Sequence, residues 1–179
     1  AYYPRVIAAN MPDIQRVHFL DGFVGLHRRR DFVKRMFAML SPICPDLSLR
    51  EVAAAADDAY RARTAYLQAV AAEGAAIIDR ARAQGKPIIV LAGRPYHTDP
   101  EIHHGVPQLI ASLGAAVLTE DALLPFLSRH PVQVLNQWTY HARLYAAAEY
   151  VATQPDMQLV QLVSFGCGLD AITTDEIRR

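Results

Sequence analysis

The rhythm of apolar positions divides the chain into three stretches. In the first, 1–47, Arg5 to Ala9 and Val17 to Val24 are short β-prone runs separated by the turn-forming Asn10-Met11-Pro12-Asp13. Phe32, Val33, Met36, Phe37 and Leu40 then recur at helical spacing, which predicts a helix over 31–40 with one apolar stripe. Pro42 and Pro45 break the chain around Cys44, so 41–47 reads as a loop. In the second stretch, 48–85, Ser48 and Glu51 form a capping box ahead of an alanine-rich, proline-free run. That run is one long helix, or two meeting near Gly74, with Gly85 as its stop signal and a bracing role across the domain.

The third stretch, 86–179, changes period. Pro87 to Ala92 is a continuous apolar run of β-branched character, which predicts a strand buried on both faces. A polar loop covers 93–105, a short helix 106–113, and a second strand Ala115 to Leu118. Asn136 is expected to cap a helix reaching Thr153, with Trp138, Ala142 and Tyr145 on its core-facing stripe. Leu159 to Val163 reads as a third strand, followed by the loop 164–168 and a helix from Leu169. Strand, loop and helix repeated three times predict an α/β fold: a Rossmann-like/flavodoxin-like parallel sheet flanked by helices. Ligands of such sheets gather at the carboxyl ends of the strands. Two glycine-containing loops, 93–105 and 164–168, fall at that edge.

Composition narrows the class. Of 179 residues, 52% are hydrophobic and 20% charged, a globular balance with enough chain for a real core. The formal net charge of zero removes any global attraction to nucleic acid or to an acidic membrane surface. The local run Arg28-Arg29-Arg30 reads as a solvated helix start. Two cysteines far apart, Cys44 and Cys167, argue against a disulfide framework and for a reducing, cytoplasmic setting. The most apolar candidate span, Ala65 to Ile78, is interrupted by Glu73 and Gly74, so no membrane segment is expected. The start without Met and the unfinished pattern of the last helix suggest a piece of a longer polypeptide.

The first edge loop concentrates chemistry. Gly93 is read as the residue that lets the backbone turn off the strand. Arg94 offers a fork for phosphate or carboxylate, Tyr96 and Asp99 flank it, and His97, His103 and His104 titrate near neutrality or ligate metal. The bland alternative pairs Arg94 with Asp99 to hold the loop, while the histidines bond backbone carbonyls. In the second loop Cys167 precedes a helix, where backbone N–H groups and the helix dipole favour negative charge on sulfur. That suits a nucleophile or a soft-metal ligand, and Gly166 and Gly168 let the backbone approach whatever it holds; a small buried thiol is the plain alternative. Neither a dinucleotide fingerprint nor a P-loop is present. In the helix after Asn136, Tyr140, His141 and Arg143 could face a pocket or a partner domain, although an ordinary interface helix is the better account of them.

Three stretches together carry a resemblance: Gly93-Arg94-Pro95-Tyr96-His97-Thr98-Asp99-Pro100 with His104-Gly105-Val106-Pro107; Asn136-Gln137-Trp138-Thr139-Tyr140-His141-Ala142-Arg143; and Gln161 to Ala171 around Ser164-Phe165-Gly166-Cys167-Gly168. In this order they resemble the acyl-CoA dehydratase activase-related proteins, the activators of (R)-2-hydroxyglutaryl-CoA dehydratase. The resemblance covers the second half of the chain closely and the first half loosely. It implies a dehydratase-like domain of a larger protein from anaerobic metabolism, with ATPase activator modules of the same chain or a dehydratase as partners, and acyl-CoA as a ligand.

In that system an ATP-driven iron–sulfur activator passes one electron to a dehydratase. By this resemblance Cys167 becomes a candidate ligand of an iron–sulfur cluster, complete only in the full-length protein. The expected site has His97 and His104 handling protons, and Arg94, Tyr96, Asp99, His103, Gly166 and Gly168 binding substrate. Two other classes stay open. One is a non-catalytic scaffold docking the ATPase modules or a dehydratase. The other is a hydrolase with Cys167 as nucleophile and a histidine base.

Overall fold

The computed structural model describes residues 3–127, 138–164 and 166–178. The chain forms two compact units, Ala1–Thr64 and Ala65–Arg179, and their boundary falls inside a single 35-residue helix.

The first unit holds α1 (Tyr3–Asn10), α2 (Arg29–Leu40) and the opening turns of α3 (Leu49–Ala83). The helix predicted over 31–40 and the loop 41–47 are both present. The β-prone runs are not strands: Arg5 to Ala9 lies within α1, and 17–24 forms no ladder. β-propensity reports fit to a pleated, half-buried surface, and neither run has a neighbouring strand to supply one. Val33, Val52 and Ala56 form a small buried cluster edged by Phe32, Met36 and Tyr60. Arg29 closes it with a two-pronged ion pair to Asp57, its Nη2 donating to Oδ2 at 2.6 Å, so one arginine of the basic run is a structural clamp. The capping box is formed as read: Ser48 N–H donates to Glu51 at 2.8 Å, and Glu51 N–H donates to Ser48 Oγ at 3.2 Å. α3 runs unbroken through Gly74 and ends where Gly85 takes φ +61°, a backbone state that favours glycine.

The second unit is an α/β layer. It contains β1 (Ile88–Ala92), α4 (Pro100–His103), α5 (Val106–Ser112), β2 (Ala116–Thr119), α6 (Thr139–Ala152), β3 (Met157–Gln161) and α7 (Gly168–Ile177). The three strands are parallel in the order β2-β1-β3, with Ile88 opposite both Ala116 and Met157. β1 is central, which is why its sequence is a continuous apolar run. β3 begins two residues earlier than its apolar content suggests. As an edge strand it alternates, burying Met157 and exposing Gln158 and Val160. The helix assigned to an Asn136 cap starts at Thr139, and Asn136 itself lies outside the described residues. Trp138, expected in the core, is 50% exposed and rests on the His141 ring; Tyr145 is buried as expected.

Ile88 and Val90 share one core with Ile78 and Ala81 of α3, Leu118, Leu123, Ala147, Val151 and Met157. Full burial of each large side chain contributes about 1.5–3 kcal/mol. Arg82 ties the last turn of α3 to the start of β3 through Asp156 at 2.7 Å. Gly74 is required by proximity: a Cβ there would stand 2.7 Å from Ala122 Cβ and 2.9 Å from the Ala122 carbonyl oxygen. Gly74→Ala, favourable for an isolated helix, is therefore expected to destabilise this one by about 1–3 kcal/mol in urea unfolding. An unchanged or higher midpoint would refute the packing argument.

Candidate functional site

The order β2-β1-β3 sends the connections to opposite sides of β1, and in such sheets ligands gather at that switch, beyond the carboxyl ends of β1 and β3. The loops leaving these two strands meet there. Arg94, two residues beyond β1, sends Nε and Nη2 to Asp170 Oδ1 at 3.1 and 2.7 Å. The same Nη2 donates to Cys167 Sγ at 3.3 Å. Asp170 Oδ2 accepts the Ser164 N–H at 2.8 Å, and the Tyr96 and Ser164 hydroxyls share a further hydrogen bond between the loops. One guanidinium thus ties a thiol and a carboxylate from the β3 side to the β1 loop.

Burial sets the charge states. Desolvation alone would raise the Asp170 pKa, but the Arg94 hydrogen bonds, the Ser164 N–H and the nearby positive charge outweigh it, and the net shift is downward. His97 is buried and shifted down, chiefly by desolvation; Asp170 opposes that shift and Arg94 reinforces it. His97 Nδ1 accepts the Arg94 N–H at 3.0 Å, so the ring holds the backbone of the residue it neighbours. This contact explains Gly93 better than a turn does. A Cβ on Gly93 would fall 2.5 Å from His97 Nδ1, and Gly93 is not among the glycines with positive φ.

The remaining loop residues divide between framework and surface. Asp99 caps α4 by accepting the Glu101 N–H at 2.9 Å, and it is Asp170, not Asp99, that pairs with Arg94. His103 is buried, with Nδ1 accepting the Gly105 N–H at 3.1 Å. His104 is exposed in the left-handed region at φ +48°, and among the described residues it makes no bond to Arg94, Cys167 or Asp170. Gly166 takes φ +75°, and a Cβ on Gly166 or Gly168 would meet nothing within 4 Å, so the backbone beside Cys167 faces open space.

Sequence reasoning passed over two participants and left a third as only a possibility. Asp170, the acid in the first turn of α7, is the partner of Arg94, and its only sequence signal was its place three residues after Cys167. His141, on the first turn of α6, is 8% exposed and interacts electrostatically with both Arg94 and Asp170. At the end of β2, Glu120 is buried against Arg143, whose Nη2 donates at 2.6 Å; burial nevertheless shifts the Glu120 pKa up.

An iron–sulfur cluster needs several thiolates or equivalent ligands. The second unit has one cysteine, Cys167, with Arg94 already on its sulfur, and Cys44 belongs to the first unit. Among the described residues no group of three His, Cys, Asp or Glu side chains is arranged to hold a metal ion. Among the described residues, then, no complete set of cluster ligands is assembled. No helix among the described residues is long and apolar enough to cross a membrane.

Fold and crevice together define an α/β domain of the Rossmann-like/flavodoxin-like class, with thiol, guanidinium and carboxylate gathered at its strand-order switch. Residues 1–123 of the 179 match the family described as CoA enzyme activase uncharacterised domain (DUF2229), and the chain belongs to that family. It is an acyl-CoA dehydratase activator-related protein, as its motifs implied. The matched residues include Arg94 and His97 and stop before β3, Cys167 and Asp170. Comparisons with curated proteins and with solved structures gave no match.

Proposed function

We propose that this chain is the dehydratase-like domain of a larger CoA enzyme activase-related protein and contributes Cys167 to an iron–sulfur or other redox site. The observation that carries the reading is the 3.3 Å contact from Arg94 to Cys167 Sγ at the switch between β1 and β3. A thiol held there by a guanidinium, with open glycine backbone on either side, supports its being shared with a group or chain outside this unit. Arg94 would hold the sulfur in position by a charge-assisted hydrogen bond. Asp170 would in turn fix Arg94. The other ligands would come from elsewhere in the longer protein or from a partner, either its ATPase activator modules or a dehydratase, with acyl-CoA as the ligand class.

Anaerobic reconstitution of the full-length parent with iron and sulfide tests this. Cys167→Ala is expected to lose half or more of the bound iron and the accompanying visible absorption. Unchanged iron content would sink the ligand role. That outcome would favour the second reading, an interaction domain, which the exposed apolar residues Val17, Phe23 and Leu26 of the first unit support. A thiol hydrolase draws less support, because the hydrogen-bond partner of Cys167 is Arg94 and His97 Nδ1 is engaged by backbone.

A further inference from the structure

The basic run Arg28-Arg29-Arg30 has no part in the function proposed above, and its arginines do different things. Arg29 is committed to Asp57 as the clamp of the first unit's core. Arg28 meets Asp31 at 3.9 Å, with the two side chains 73% and 67% exposed, so water competes strongly for both. Arg28 and Arg35 line one cleft of about 270 Å³ within the first unit, together with Phe23, Gly25, His27 and Asp31.

Part of that cleft is built from the irregular segment 22–27, which is fastened in place. Arg35 Nε donates to the Phe23 carbonyl at 3.3 Å, and the Tyr60 hydroxyl donates to the Leu26 carbonyl at 2.7 Å. A Cβ on Gly22 would fall 2.5 Å from Met39 Sδ, so the backbone there lies close against α2. Gly25 leaves room for the His27 ring, whose Cε1 would stand 3.2 Å from a Cβ at that position. The segment is therefore held on α2 and α3 before any ligand arrives.

The lining specifies what kind of ligand. Two guanidinium groups against one carboxylate leave the cleft positive, in a chain whose formal net charge is zero. Guanidinium forks match phosphate oxygens with paired hydrogen bonds. Beyond Nε, the Arg35 nitrogens have no hydrogen-bond partner among the described residues. Phe23 is 69% exposed beside them and offers a ring face on which a planar base can stack. The volume falls just below the roughly 300–1,000 Å³ of ordinary small-molecule sites. That suits one phosphate and one ring better than a dinucleotide.

We propose that this cleft binds a ligand of the mononucleotide class, with Arg28 and Arg35 on its phosphate and Phe23 against its base. The site lies in a different unit from Cys167, so its test stands apart from the redox reading.

Titration of the chain with AMP, adenosine and inorganic phosphate, followed by calorimetry or amide NMR, decides it. AMP is expected to bind saturably, with adenosine and inorganic phosphate each at least about fivefold weaker. Arg28→Gln is expected to weaken AMP binding at least about tenfold. Arg30→Gln, which removes the same charge outside the cleft, should cost less than about twofold. Phe23→Ala should cost at least about fivefold, whereas Asp31→Asn, which removes the opposing carboxylate, should tighten binding about two- to threefold. Arg28 and Phe23 are exposed and outside the core, so their variants separate binding from folding. Absence of saturable AMP binding, equal losses in Arg28→Gln and Arg30→Gln, or full affinity in Phe23→Ala overturns the proposal. So does tighter binding of an acidic peptide, hexaglutamate, than of AMP, which would make the cleft a contact for a protein partner.

Discussion

Arg143→Met is expected to lower stability by about 3–5 kcal/mol near neutral pH, because it strands the Glu120 carboxylate in the interior without its cation. The side chains of Arg143 and Glu120 are only 15% and 7% exposed, so water does little to replace the lost partner. Burial already raises the Glu120 pKa against the pull of Arg143, and removing the arginine removes that pull. The sign of the pH dependence follows. A carboxyl whose folded pKa is raised favours the folded state most at low pH, and that contribution is lost as pH rises through the folded pKa. The deficit of Arg143→Met should therefore shrink as pH is lowered and Glu120 becomes neutral.

The pair is not expected to be worth its own replacement cost. Arg143 Nε is buried without a hydrogen-bond partner among the described residues, so the guanidinium is itself incompletely satisfied there. Glu120→Leu combined with Arg143→Met should recover much of the single variant's loss, since apolar replacement of a buried ion pair is often neutral. Urea unfolding of the two singles and the double, at neutral and mildly acid pH, checks this. A single variant within 1 kcal/mol of the wild type, or a double variant as unstable as the single, would show that the pair does not carry the assigned energy.

Asp170→Asn is expected to cost about 2–3 kcal/mol at pH 7 and to loosen both loops of the crevice together. Arg94 would keep some solvent, being 23% exposed, which places the loss below that of the Glu120 pair. Here the sign is opposite. The folded pKa of Asp170 is depressed, so its stabilisation is present above the unfolded value of about 3.9 and is lost as pH falls through the folded pKa. The gap between wild type and Asp170→Asn should be full at pH 5–7 and close well below pH 4. A gap that stayed constant down to acid pH would show that the charge of Asp170 is not what holds Arg94.

Both predictions concern pairs that no local pattern reveals, and the contrast with what was legible is physical. The capping box at Ser48 and Glu51 and the stop at Gly85 are interactions within one turn of helix, so their residue types announce them. The central strand is legible for a similar reason. A strand covered on both faces must be apolar at every position, and 88–92 is. The same rules misread Arg5 to Ala9 and Val17 to Val24, where β-prone residues have no adjacent strand to pair with, and placed β3 two residues late, because an edge strand does not need every position apolar.

At the crevice, position along the chain was informative and partnership was not. Residue type and loop placement picked out Arg94, His97 and Cys167, and their meeting at one sheet edge followed from the predicted fold. That Arg94 joins Asp170, 76 residues away, and not the nearby Asp99, depends on β3 lying beside β1 in the sheet. The function of Gly93 as space for an imidazole, and the lack of a hydrogen-bond partner for His141 Nδ1 among the described residues, depend likewise on which side chains converge. Hydrophobic period and turn chemistry are properties of neighbours in sequence. A buried charge or an unpaired nitrogen is defined by neighbours in space, and strand order is what assembles them here.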